Sequence, residues 1–512
     1  VTTCDLRTTA VFPVTHREHG ITSVSLRELL VNAHEYTDVA CVVPPATVGM
    51  LRVLYVIAAR VTGLDRASSV EEWSVRRRAI LNEGAFRKKH LDEYLEKYAD
   101  RWDLFHPVWP WLQDPRLVEQ AELKPANVLD PTRPGDNSPI WWRHTHRDHS
   151  PPIPVAEALQ WLLVHHFYGS GGTGGTRQVG NVHSQHMSAG PLRSTLSFHP
   201  WCGTLFETLI AGIPSPSTVA SPSGEDLAPW ELGERHDPLA TPPDATWPAG
   251  VLTGRSRHAI LLVANDTADH VVGCYLTWAW KQKHPPHEDP YTIHSRRNDG
   301  TWEPRAADAT RALWRDVDAL LADHPEHHRP AILTATLSLP DRYHETLRVR
   351  AYGFDQDRKA TNNAWYTATT PPLVTTMSEN DPARATGARL LHTAAEEVAT
   401  EMRKALRKAY RSLGTGQPGR RDDDVPWLAP ADTHYWPAAE NLFWDCLRHN
   451  SFDDPHRAYV RIAVDAVDVA TRHISHQPPV AREVARAVQD LRIFAAKKNP
   501  RPPKTKDDDD GE

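Results

Sequence analysis

Apolar positions recur along the chain with periods that change from segment to segment, and those periods predict the elements. Residues Ala10 to Val14 read as a short strand. Ser25 precedes Leu26-Arg27-Glu28-Leu29-Leu30, and a serine followed three residues later by glutamate is the capping-box signal of a helix start. Residues 46–62 are strongly apolar and predict a buried helix, while 70–100 are charged and helical in period. The segment Trp102 to Leu112 contains Pro107 and Pro110, which forbid a regular helix, so it is predicted to run extended and be anchored by its aromatics. Residues 125–153 are rich in proline and polar residues and predict a long loop. The helical period returns over 155–168 and runs straight into Gly169-Ser170-Gly171-Gly172-Thr173-Gly174-Gly175-Thr176-Arg177. Residues 213–250 read as a surface excursion, 257–280 contain β-like runs, and two further strands are expected within 331–353.

The pattern changes near Asn380. Helices are predicted at about 382–413, 435–449, 454–475 and 479–497, and in the first of them Leu391, Val398, Met402, Leu406 and Leu413 fall near one face. The fold class expected is α+β. A large mixed α/β domain with long loops covers 1–378, a C-terminal four-helix bundle covers 379–498, and a tail that is basic and then acidic, predicted to be disordered, covers 499–512.

Composition narrows the function classes. A chain of 512 residues buries enough surface to need no disulfide or metal staple. Hydrophobic residues are 40% and charged residues 24%, ordinary globular usage that excludes wholesale disorder. No run approaches the roughly 18 apolar residues of a spanning helix. The first residues resemble neither a signal nor a transit peptide, so a cytoplasmic protein with no membrane partner is expected. Cys4, Cys41, Cys202, Cys274 and Cys446 are odd in number and lack C-x-x-C spacing, as expected of reduced thiols. Lys and Arg total 58 against 65 Asp and Glu, a net charge of -7. A freestanding nucleic-acid binder shows a basic excess, so any such contact here must be local or shared with partners. The 43 prolines and 18 tryptophans predict a loop-rich platform whose connections are pinned by large side chains.

The glycine stretch is the first candidate for chemistry. Gly169-x-Gly171-x-x-Gly174 formally matches a dinucleotide fingerprint, but a helix rather than a strand precedes it, and no lysine completes a P-loop. Two readings stay open: a flexible connection, or a loop whose bare backbone approaches a phosphate or a groove floor, with Thr173, Thr176 and Arg177 beside it. His144, His146 and His149 lie in a loop with Trp141, Trp142 and Arg143. Such a loop reads as a metal site, as a surface that stacks on unpaired bases, or as a plain Trp-anchored loop. Lys281 and Lys283 sit at a basic tip after a strand-like run, and Gln356, Asp357, Arg358 and Lys359 form another. Gly-x-Ser-x-Gly and His-Glu-x-x-His motifs are absent, and Asp422-Asp423-Asp424 reads as a solvated turn, so a non-enzyme without cofactor is expected.

Read in order, these pieces resemble the CasA family, the large subunit of the type I-E CRISPR surveillance complex Cascade. The order consists of the Ser25–Leu30 element, the Phe105–Gln113 stretch, Trp141-Trp142-Arg143-His144, the glycine loop, Leu313-Trp314-Arg315-Asp316 and the C-terminal helices. Val11-Phe12-Pro13-Val14 stands where the family usually has Pro-Trp-Ile-Pro. The resemblance implies a non-catalytic subunit that partners CRISPR RNA, the other Cascade subunits, double-stranded target DNA and a helicase–nuclease. It implies that Gly171, Gly172, Thr173, Gly174 and Gly175 with Lys281 and Lys283 (Lys283 favoured) read the protospacer-adjacent motif (PAM) from the minor groove. It implies a wedge within Gln356, Asp357, Arg358 and Lys359, with Gln356 or Arg358 at its point. It also implies contact with the RNA handle through residues 137–150, including Trp141 or Trp142, Arg143 and His144. The alternative, from another class, is a metal-dependent hydrolase built on His144, His146 and His149.

Overall fold

The computed structural model describes residues 3–133, 150–219, 224–356, 361–414 and 425–498. The chain divides into two compact units, Val1–Leu313 with Asp323–Thr375, and Trp314–Ala322 with Thr376–Glu512.

The first unit is organised around the helix Pro44–Thr62. Prolines at its first turn need no N–H partner there, and Gly63, at φ +68°, closes it with backbone bonds to Ala59 and Arg60. By length and composition this helix is apolar enough to cross a membrane, contrary to the expectation that no run came close, yet 89% of that window is buried inside the fold. It packs on Val155–Tyr168 so closely that a Cβ on Gly49 would lie 2.8 Å from Leu163 Cβ. Small antiparallel sheets surround this pair. Phe12–His16 lies between Gly20–Val24 and Tyr36–Val39. His270–Trp278 pairs with His258–Ala264 and with the short strands Lys124–Pro125 and Ile153–Pro154. Arg348–Gln356 lies between Leu196–Trp201 and Asn362–Thr369. Gly172–Val179 and Val182–Met187 form a separate hairpin.

The long connections are pinned by aromatics. Trp102 and Trp111 are buried in the extended segment, and the Trp102 indole N–H donates to Leu95 O at 3.0 Å. Within 213–250, Trp230 and Trp247 are buried, and Glu231 and Asp226 converge on Arg60 at 2.9 and 3.0 Å. One strand expected within 331–353 is instead the helix Ala331–Thr336. Its apolar run is too short for period to separate strand from helix, and Pro330 at its N-cap position favours the turn.

In the second unit, Pro382–Ser412 packs against each of Leu428–His449, Pro455–Thr471 and Pro478–Lys498. Asp381 caps the first helix by accepting from Arg384 N, and its buried stripe runs through Leu391, Val398, Met402 and Leu406 with alanines between. Trp314 is buried 5.1 Å from the Phe443 ring, and Arg315 forks onto Glu396 at 2.7 and 2.9 Å.

Candidate nucleic-acid interface

The glycine stretch is a strand, not a loop. Gly169 ends the helix Val155–Tyr168, and its Cβ direction is filled by His165 O and the His258 ring. The chain then enters Gly172–Val179, whose pairing to Val182–Met187 breaks register between Thr173 and Arg177. Across that bulge Gly175 O accepts from the Thr277 hydroxyl at 2.6 Å, which stitches the hairpin to the strand His270–Trp278.

This packing explains most of the glycines. A Cβ would fall 2.8 Å from Ala189 N at Gly171, 2.4 Å from Met187 Cε at Gly174 and 2.3 Å from Leu276 O at Gly175. These three are glycine because their own protein fills the space. Gly172 differs: its φ is +109° and nothing lies within 4 Å of its Cβ direction. Of the bare backbone, Gly172 is the position open to a ligand, and Thr173 beside it is exposed.

Arg177 does not serve as a ligand group. It is fully buried, and its guanidinium donates to Asp114 at 2.8 Å, to Gln120 at 2.6 and 2.9 Å and to Trp278 O at 3.0 Å. Burial holds its pKa below the usual value despite the Asp114 charge.

The lysine tip lies against this hairpin. The Trp278 indole donates to Ser184 O at 3.0 Å, and the Lys281 ammonium donates to Ser184 Oγ at 2.9 Å while sitting 5.8 Å over the Trp278 ring. Lys283 is exposed and has no hydrogen bond or ion pair among the described residues. Sequence reasoning missed Lys124, whose ammonium lies 3.3 Å from where a Gly175 Cβ would stand. It also missed His183, Gln185 and His186, exposed on the hairpin's second strand. The polar alternation Val182-His183-Ser184-Gln185-His186-Met187 was the available signal for that strand.

Gln356 does not project. It is buried at the end of its strand, its amide donates to Asn362 Oδ1 at 2.9 Å, and its backbone oxygen accepts from the Ser194 hydroxyl. Asp357, Arg358 and Lys359 lie outside the described residues, as do Trp141, Trp142, Arg143, His144, His146 and His149. Among the described residues no group of three or more His, Cys, Asp or Glu side chains is placed to hold a metal ion.

The arrangement therefore offers one open glycine, an exposed threonine, and a lysine near each strand of a hairpin, Lys124 by Gly175 and Lys281 on Ser184. That suits a narrow polyanionic groove better than a closed small-molecule site.

Comparison with known proteins places this chain in a family. The family model for CRISPR-associated protein Cse1 matches residues 5–473. CRISPR-associated protein CasA/Cse1 of Thermus thermophilus is 27% identical over 309 residues, which is 59% of this chain and 57% of that protein. The matched region thus spans little more than half of that curated relative's length. A chain of a CRISPR RNA-guided surveillance complex superposes with TM-score 0.87 at 34% identity, covering 96% of this chain and all of that one. Cse1 of Thermobifida fusca superposes with TM-score 0.72 at 19% identity, covering 97% and 98% of the two chains, a likeness of fold alone. On the extent of the family match, this chain belongs to the CRISPR-associated protein Cse1 family.

Proposed function

We propose that this chain is the non-catalytic DNA-recognition subunit of a CRISPR RNA-guided surveillance complex in the cytoplasm. It reads the PAM of double-stranded target DNA from the minor groove, promotes duplex opening and R-loop formation, and recruits a helicase–nuclease. Its partners are CRISPR RNA, the companion subunits and that nuclease. In this reading 1–378 is the recognition domain, 379–498 is a four-helix bundle, and residues 137–150 meet the RNA handle.

The observation that carries the reading is the bond from Lys281 to Ser184, which joins elements 97 residues apart in sequence and seats the lysine tip on the glycine hairpin. The minor groove is only about 6 Å wide, so a backbone without side chains enters it at least steric cost. Gly172 meets that need, and Lys283, on the tip that Lys281 seats on the same hairpin, is the donor to the acceptors that A·T and T·A pairs share. Readout of that kind is degenerate, so several PAM sequences are accepted and specificity rests with the RNA. A wedge within the Gln356 to Lys359 region, drawn from Asp357, Arg358 and Lys359 because Gln356 is buried, then offsets its unstacking cost of a few kcal/mol through backbone contacts and RNA pairing.

The test is duplex binding by the complex assembled with CRISPR RNA. Lys283→Ala and Thr173→Trp are each expected to weaken binding of a PAM-bearing duplex about tenfold, the loss of one good groove contact. Thr173→Trp blocks the entry without straining the backbone. Binding unchanged by both substitutions overturns the assignment.

A further inference from the structure

A second basic feature lies next to the hairpin. A cavity of about 220 Å³ is lined by Arg52, Arg255, Arg257, His284, His287 and Asp289, among others. Its charges do not balance. Arg52 is spent on Asp289, with both carboxylate oxygens at 2.7 Å. Arg255 donates one N–H to Pro285 O, and Arg257 donates one to Ala189 O at 2.8 Å. Neither meets a carboxylate among the described residues, and the rest of each fork is unpaired and accessible. Burial draws the pKa of both below the usual arginine value, and for Arg255 the neighbouring Arg257 charge adds to it. His284 contributes no charge, because burial and then the two guanidiniums push it down to about 4.

Two adjacent half-buried cations with no carboxylate in direct contact are costly, although Asp289 and Asp244 act on Arg255 from a distance, and an entering anion relieves that cost. The planar forks match phosphate oxygens in geometry. The volume is below the roughly 300–1,000 Å³ of a typical small-molecule site, so one small group fits rather than a whole cofactor. Position selects the source of that group. Ala189, which accepts from Arg257, is the residue against which Gly171 packs at 2.8 Å, and His284 follows Lys283 directly. The cavity therefore adjoins both the hairpin and the lysine tip.

We propose that Arg255 and Arg257 form a phosphate site that holds one backbone phosphodiester of the nucleic acid whose groove the lysine tip enters. The inference rests on the proposed nucleic-acid role and adds the contact that fixes register there. Phosphate contacts position a duplex without reading its sequence.

The complex assembled with CRISPR RNA is titrated with duplex DNA across salt concentrations. The double substitution Arg255→Gln, Arg257→Gln is expected to weaken binding about tenfold or more on every duplex sequence. It should also lower the log–log salt slope by about 1 to 2. Wild-type affinity and slope in that variant overturn the proposal. Lys283→Ala, run in parallel, separates the two readings, since it lowers PAM preference and not merely overall affinity. If it changes nothing while the double variant loses slope, the phosphate site stands and the groove reading fails. Inorganic pyrophosphate, titrated into the full chain, tests the other source. If its binding is lost in the double variant while duplex binding is unchanged, the cavity serves a free anion and the proposal fails. Should the glutamine variant lose the wild-type melting curve, Arg257→Lys decides. Affinity a few-fold lower at unchanged slope is expected for a lost fork, and unchanged affinity overturns the site.

Discussion

Arg177 shows how burial converts a side chain that reads as a ligand group into a structural one. Its partners Asp114 and Gln120 lie 63 and 57 residues away, so nothing local in the sequence marks it as spoken for. Arg177→Met is expected to cost about 3–5 kcal/mol, because it strands part of a buried ionic network, and denaturant unfolding measures this. Gly175 makes the opposite lesson. Its lack of a Cβ suits ligand approach, yet the atom it avoids is Leu276 O at 2.3 Å. Gly175→Ala is therefore expected to destabilise the fold by about 1–3 kcal/mol, read as a lowered melting temperature. Burial also sets a pH dependence. It holds His166 near 4 and His258 near 3, both below the unfolded value of about 6.5. Between those limits the unfolded chain binds more protons, so their stabilisation is present above pH 6.5 and is lost as pH falls toward 4. The melting temperature should drop from pH 7 to pH 5, and His258→Gln should flatten that drop. A pH-independent melt contradicts it.

At the scale of elements, long periodic segments were legible and short ones were not. The helix predicted over 382–413 is Pro382–Ser412, and that over 479–497 is Pro478–Lys498. The helix expected to begin at 435 begins at Leu428, because Pro430 sits in its first turn, where a missing N–H costs nothing. By contrast, Ala331–Thr336 looked like a strand, and the glycine stretch looked like a loop while it pairs as a strand. Glycine has low strand propensity, and the bulge in this strand is held by a tertiary contact, the Thr277 bond to Gly175 O, which no local pattern encodes. Close helix packing is testable in the same terms. Gly49→Val places methyl groups where Leu163 and Phe167 already stand, and a loss of about 1–3 kcal/mol is expected on thermal unfolding.

For the whole chain, the net charge of -7 and a nucleic-acid role agree only if basic groups are local. They are local here, for Lys124, Lys281, Lys283, Arg255 and Arg257 all lie within the first unit, on or beside one hairpin. The sequence displayed the lysine tip through its flanking prolines, but not the distant Lys124 or the arginine pair, which only the fold brings near. The most direct test of the account is duplex affinity of the assembled complex with Lys283→Ala, measured on targets that differ only in the PAM. The account predicts that the wild-type complex prefers the PAM target and that the substitution removes about tenfold of that preference. Equal preference in the two proteins would contradict it.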